Sequence, residues 1–447
     1  MTCLRRPPGN PYPSPPPSRR AMAAPDPAME ATRQFLQDHF RRYYRATKPA
    51  LPDRFGRREF GFMFFGTPSV QRHLGFEREE DLRQFLVGHV PAHAYYSSAY
   101  YERPDAPTME EKGWLGADLI FDLDADHIPT AKPMSYAGLL EAVRVRIIRL
   151  YDEFLRKDFG FEEGKMRLVF SGGRGYHIHV VDERVWSLGS HERREIVDWI
   201  TGKGLAVDSM FRESAFDSRE FRGYVRVKKR IVAPSEDEPG WRGKIFRGMR
   251  QLATRLEAMP REEGIAFLTS FEGTKERDAE ELWENLFKPR TTKPRAIRGV
   301  DRLREGQIEA LSDAGRDLLV RVVKELQQIR LEEYHGMPLE GITQRGEIDE
   351  PVTSDIKRLI RMPMTLHGRT GLAVVPLSRE EIDAFRPLRD AVPETWTDEP
   401  VPIRIIEKIN LETRGEAFNL APGVNNVPQF LAILLTARGL ATVVPEA

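Results

Sequence analysis

Between Asp118 and Asp126 the chain reads Asp-Leu-Ile-Phe-Asp-Leu-Asp-Ala-Asp, and few backbone arrangements satisfy that pattern. In a β-strand, side chains alternate between two faces. Leu119, Phe121, Leu123 and Ala125 then point into a core, and Asp118, Asp122, Asp124 and Asp126 point the other way. Like charges on one face of a half-buried strand repel each other and are costly to desolvate. A bound divalent cation removes that cost, and hard cations such as magnesium prefer carboxylate oxygens. The competing readings are an edge strand with a solvated acidic face and a calcium loop. The Asp-Gly pattern of an EF-hand is missing, and the flanking apolar run argues for a buried strand. The metal site is therefore the preferred reading.

The chain has 447 residues, enough for two or three domains with full hydrophobic cores. Its 40% hydrophobic and 30% charged content predicts a globular, soluble protein, and no stretch is long and apolar enough to cross a membrane. The 68 basic and 68 acidic residues cancel, which leaves nucleic-acid binding open because local patches govern it. Cys3 is the sole cysteine. No intramolecular disulfide can form, and no cysteine-ligated zinc or iron–sulfur site can be built within this chain. An intracellular, reducing compartment is the expectation.

Residues 1–28 are rich in proline, serine and alanine and are expected to be a disordered tail. No apolar stretch follows Arg5 and Arg6, which excludes a secretory signal; Met22 and Met29 stand as alternative starts. Residues 29–189 form the first part of a core. Helical periodicity runs from Met29 to about Thr47, a strand covers Arg58–Phe65, a short helix Glu80–Val87, and an extended segment His93–Arg103. A long amphipathic helix is predicted from about Ser135 to Lys157, with Leu140, Val143, Ile147, Leu150 and Phe154 on one side. Strand, helix, strand, glycine turn, strand is an α/β pattern. Residues 190–333 read as a mostly helical, charged insertion. Residues 334–447 complete the core and end in an apolar helix from Pro428 to Arg438.

Two further segments carry chemistry. Ser171-Gly172-Gly173-Arg174-Gly175 follows a predicted strand, and His177 and His179 share a face of the next one. The glycines let a ligand approach the backbone and offer amide donors, and Arg174 adds a cation. The turn suits a triphosphate cradle better than a Rossmann or Walker A loop, because no G-x-G-x-x-G opens a helix and no Gly-Lys-Ser/Thr follows. A structural β-hairpin remains the alternative. A zinc half-site at His177 and His179 lacks a matching ligand set. The other segment holds Glu347-Ile348-Asp349-Glu350-Pro351, a helix-like basic stretch Lys357–Pro363, and Leu366-His367-Gly368-Arg369-Thr370-Gly371. By residue type alone these are three unrelated surface features.

Taken in order, these blocks resemble the small catalytic subunit of archaeal and eukaryotic-type DNA primases. The matching text is Phe121–Asp124, Ser171–His177, and Asp349 followed by Leu359–Pro363 and His367–Gly371. Tyr43-Tyr44, Arg58-Glu59-Phe60, Tyr100…Arg103-Pro104 and Phe385–Pro393 are similar to family text as well, so the resemblance spans roughly residues 30–447 and is weakest in the helical middle. It implies an α/β (α+β) fold: a primase catalytic core with an RRM-like mixed sheet, plus a helical insertion. It implies that Asp122, Asp124 and Asp349 are catalytic and hold two magnesium or manganese ions, with Asp349 brought in from a facing strand. It implies that Ser171, Arg174 and His177 bind the triphosphate of the incoming nucleotide, and that Arg361 and His367 complete the pocket. Such an enzyme copies single-stranded DNA into short RNA or DNA primers by two-metal nucleotidyl transfer. The implied partners are a large primase subunit, which in the family carries an iron–sulfur cluster, single-stranded DNA template and nucleoside triphosphates, with no membrane. The implied location is the cytoplasm and nucleoid of an archaeal-type cell. Many family members carry a cysteine-rich zinc knuckle between carboxylate strand and glycine turn. Residues 127–166 hold no cysteine and only His127, so no structural zinc is expected.

For the template, two basic clusters are candidates: Arg222–Arg230, and Lys288–Arg304, the second a proline-broken, extended loop in which Lys293, Arg295 and Arg298 would grip phosphates. A solvated, flexible loop is the alternative. Two rival functions remain: a related primase-polymerase or end-joining repair polymerase, which the Leu359–Gly371 block disfavours, and a non-catalytic nucleic-acid-binding scaffold, which three intact carboxylates disfavour.

Overall fold

The apolar face of the carboxylate strand sets the first layer. The computed structural model describes residues 26–127, 134–221, 224–232, 234–292, 295–308, 311–329 and 333–445. Leu119–Asp124 is a strand whose Leu119, Phe121 and Leu123 are fully buried. Its partner is Gly175–Val180, with Asp122 opposite His177 and Asp124 opposite Gly175. That strand pairs in turn with Met166–Phe170, and Val375–Leu377 closes the far edge of a four-stranded sheet. Every ladder is antiparallel. Leu119–Asp124 and Met166–Phe170 both run opposite to the strand between them, so they are parallel to each other, joined by the long helix as a split β-α-β unit. This is the form taken by the expected α+β, RRM-like sheet.

The joining helix, Tyr136–Arg149, begins at Ser135, whose hydroxyl accepts from the Gly138 amide at 3.1 Å. Over Leu150–Arg156 it widens into a π-helical turn. The widening brings Leu150, Tyr151, Phe154 and Leu155 into the core behind Leu140, Val143 and Ile147.

A second four-stranded sheet lies alongside, in the order Leu359–Arg361, His93–Ser97, Phe60–Met63, Val70–Leu74, again antiparallel. Leu359–Arg361 is a strand where the basic stretch was read as helix-like. Its three residues are too few to show a period, Ile360 is buried opposite Tyr96, and Pro363 follows two residues after its end. The Tyr96 hydroxyl and His179 Nδ1, 3.2 Å apart, tie the two sheets together.

Helix Pro27–Ala46 starts two residues earlier than expected, capped by Asp26, so Met29 lies inside it; the rest of the expected tail lies outside the described residues. In the middle segment, helices Ser190–Thr201, Trp241–Glu257, Arg261–Thr269, Glu276–Phe287 and Asp313–Leu326 match the helical reading. Two parts do not. Arg212–Phe221 and Tyr224–Val232 form a long antiparallel hairpin, and the Lys288–Arg304 stretch is a short hairpin, Arg290–Thr292 with Arg295–Ile297, running into helix Gly299–Arg304. The second is expected from its prolines to be an extended loop. Thr291 and Ala296 pair across the hairpin, and Pro294 lies outside the described residues.

The C-terminal helix, Gln429–Ala437, is apolar on nearly all sides and buried against the strands Pro400–Ile405 and Gly423–Pro428. No described helix is long and apolar enough to cross a membrane.

Candidate active site

Between the two sheets lies a cleft of about 820 Å³. The four aspartates of the opening motif part company there. Asp118 turns into the core, where Arg58 pairs with it at 2.6 Å and the Tyr100 hydroxyl donates to it at 2.5 Å. Asp122 and Asp124 face the cleft. Asp126 leaves the strand and pairs with Arg174 at the surface. The alternation rule puts Asp118 on the face of Asp122; at that end of the strand the face is closed, with Ile120 1% exposed and the Arg58 guanidinium over the Tyr96 ring, so Asp118 is packed where Asp122 is open to the cleft.

Asp349 reaches this region differently than expected. It sits in the loop ahead of the short helix Glu350–Ser354, whose Pro351 favours a helix start, and not on a facing strand. Its amide donates to the Asp122 carbonyl at 2.9 Å. Burial pushes the Asp122 carboxyl up to about 7, and the neighbouring Asp124 and Asp349 charges push the same way. Among the described residues no three Asp, Glu, His or Cys side chains stand close enough to form a ready cage. The donor chemistry is nonetheless that of a hard cation: two cleft-facing carboxylates, a third acid held by the backbone, and mutual repulsion that a divalent charge would relieve.

This arrangement predicts a pH dependence. Folded Asp122 keeps its proton to about pH 7, against an ordinary value of 3.8. Between those values the folded state binds more protons than the unfolded one, so stability falls as pH rises through that window and levels off above it. Thermal unfolding in chelator from pH 4 to 8 measures this. Asp122→Asn should flatten the slope; an unchanged slope would assign it to other groups.

The glycine turn is built against His367. Gly172 has φ +75°, and a Cβ there would stand 2.7 Å from the His367 Cβ. Ser171 is buried, and its hydroxyl accepts the amides of Gly173 and Gly175 at 3.4 and 3.3 Å, so it shapes the turn from beneath. Thr370 donates its hydroxyl to the Gly172 carbonyl at 2.5 Å, and its Oγ1 lies 3.2 Å from His367 Nδ1. Gly172→Ala is expected to cost about 1–3 kcal/mol from left-handed strain and the clash. It should also weaken nucleotide binding, read by calorimetry alongside thermal unfolding. Intact binding at lowered stability would confine the turn to a structural role.

Cations gather around the turn. Arg174 lies 3.9 Å from Asp124. Arg361 bonds His93 Nδ1 at 2.7 Å and stacks its guanidinium 5.3 Å from the Tyr95 ring centre. Arg358, Arg369 and Arg438 line the same cleft without an ion pair among the described residues. His177 is 1% exposed, and neither ring nitrogen has a hydrogen-bond partner. Burial, then the Arg361 charge, lowers it to about 3, so the imidazole is neutral. An unpartnered polar ring costs free energy unless a ligand meets it. His93 is lowered to about 3 by burial and Arg361, and His367 well below its ordinary value by the same causes.

The structure thus brings Asp122, Asp124, Ser171, Arg174, His177, Arg361 and His367 to one cleft; Asp349 does not line it but lines a neighbouring hollow with Glu347 and Glu350, joined to Asp122 through its backbone amide. Sequence reasoning missed His93, Tyr95, Tyr136 and Arg438. The alternation of His93 and Tyr95 on a strand was the available signal for the first two; nothing local marked the others. Of the template candidates, Lys293 lies outside the described residues and Arg295 stands on the short hairpin. Arg298 is engaged with Asp301 at 2.8 Å and Glu257 at 2.5 Å. Those pairs, which a loop reading could not foresee, compete with phosphate contact.

A cleft with carboxylates at one wall, arginines at the other and a backbone turn between them can hold a polyphosphate and act on its phosphorus. The chain is also similar to known proteins. The model of the family described as DNA primase small subunit matches residues 121–379. A DNA primase small subunit PriS of Methanococcoides burtonii is 39% identical over 92% of this chain and 98% of its own length. One from Methanocella arvoryzae is 38% identical over 93% and 100%, and one from Halorubrum lacusprofundi 36% identical over 93% and 99%.

Proposed function

Since the chain belongs to the family of DNA primase small subunits, we propose that the cleft is where it joins nucleotides on a single-stranded DNA template. The chain is the catalytic subunit of a DNA primase, and the rival readings as a repair polymerase or a scaffold are not favoured. The observation that supports this site is the pairing of Asp122 with His177 across one ladder, beside the glycine turn and facing Arg361.

Asp122 and Asp124, with Asp349, would hold two magnesium or manganese ions, which would acidify a primer 3′-hydroxyl and neutralise the leaving pyrophosphate. The protein's own groups do the rest. Ser171 keeps the turn open to phosphate oxygens. Arg174 exchanges its carboxylate partners for phosphate, which frees Asp124 for its own role. His177 offers a neutral N–H, which binds a phosphate oxygen without adding charge. His93 and Tyr95 hold the Arg361 guanidinium in place, so little side-chain freedom is lost when it meets the triphosphate. The 3′-oxygen bonds to the α-phosphorus as the bond to pyrophosphate breaks.

Template DNA and a large primase subunit complete the machine in this reading. Primer synthesis on unprimed single-stranded DNA, with ribo- and deoxyribonucleotides and with and without the large subunit, tests it. De novo products are expected. Extension of existing ends alone would favour the repair polymerase, and no synthesis in any arm would favour the scaffold.

A further inference from the structure

One cation of the cleft comes from the far end of the chain. Helix Gln429–Ala437 stops at Arg438 because Gly439, at φ +70°, turns the backbone left-handed, and the Leu440 amide bonds back to the Leu435 carbonyl at 2.9 Å. The chain then enters strand Ala441–Val443, which pairs with Pro400–Ile405. Arg438 is thus anchored on both sides. Its guanidinium lies 4.2 Å from the centre of the Tyr136 ring, and it lines the cleft with no carboxylate partner among the described residues. Tyr136 donates its hydroxyl to the Gly173 carbonyl at 2.7 Å. Burial raises that hydroxyl to about 12, so it stays protonated and keeps the bond.

These contacts form a path away from the carboxylates. Asp124 stands opposite Gly175, Gly173 precedes it in the turn, Tyr136 holds Gly173, and Arg438 covers Tyr136. Asp124, Gly173, Tyr136 and Arg438 all line one cleft, so a triphosphate with its α-phosphorus at the carboxylates and its tail along the turn would bring its last phosphate toward Arg438. We propose that Arg438, aimed by the Tyr136 ring, binds the terminal phosphate of the incoming nucleotide and so selects triphosphates over diphosphates. The proposal deepens the nucleotide reading of the cleft and rests on it. Arginine is well matched to a terminal phosphate, because its planar fork meets two phosphate oxygens at once while an aromatic face holds its plane.

Calorimetric binding of nucleoside tri-, di- and monophosphate to the full chain with magnesium tests it. Arg438→Ala should weaken triphosphate binding roughly tenfold or more, with changes under about twofold for the other two. Arg438→Lys keeps the charge but loses the fork, and should fall between. Should the alanine variant prove unstable, Arg438→Gln carries the same comparison. Equal weakening of all three ligands, or of none, would overturn the role of Arg438. A wild-type chain that binds triphosphate no better than monophosphate would instead bring down the nucleotide reading beneath it.

Discussion

Asp122→Asn should abolish primer synthesis while the protein stays folded. The substitution keeps the side chain's shape and removes its charge. That charge is what the fold tolerates least, since burial and two neighbouring acids already raise the carboxyl to about 7. Removing it relieves repulsion, so the unfolding temperature at pH 8 should equal or exceed that of the unaltered protein. Synthesis should drop by about a thousandfold or more, equivalent to about 4 kcal/mol of barrier. Primer assays on single-stranded DNA and thermal unfolding on the same sample separate the two effects. Surviving synthesis would place the chemistry elsewhere.

Four residues earlier, Asp118→Asn should do the reverse. Asp118 and Arg58 are each 1% exposed and paired at 2.6 Å. Arg58 also donates to the carbonyls of Asp53, Ser97 and Ser98, and lies 4.0 Å from the Tyr100 ring centre. Neutralising Asp118 strands a buried guanidinium, at about 3–5 kcal/mol. Denaturant unfolding should show that loss, with any fall in synthesis tracking the unfolded fraction. Replacing both partners, as Arg58→Met with Asp118→Leu, should recover part of it; the three carbonyls left without Arg58 keep the recovery incomplete. A loss below about 1 kcal/mol for Asp118→Asn would mean that the pair contributes little.

These neighbouring aspartates show what could be read from the chain. Strand alternation identified the acidic face, and the glycine turn and His367 block were visible as contiguous text. Alternation could not tell which acid is covered, because that depends on Arg58 and Tyr100 arriving from other parts of the chain. The resemblance implies a facing strand for Asp349, but no local signal reports its backbone, and Pro351 starts a helix there. Leu359–Arg361 was too short for its period to be seen and owes its extended form to pairing with His93–Ser97. Arg438 reaches the cleft only through long-range packing of the last helix, which no local signal reports.

Anomalous scattering from crystals soaked with manganese and a non-reactive nucleoside triphosphate is the most direct measurement of whether these acids and this turn form one catalytic centre. Manganese is expected within bonding distance of Asp122 and Asp124, with Asp349 turned toward it and the phosphates lying along the Ser171–Gly175 turn. Manganese bound elsewhere, or a triphosphate seated away from that turn, would contradict the two-metal reading of the cleft.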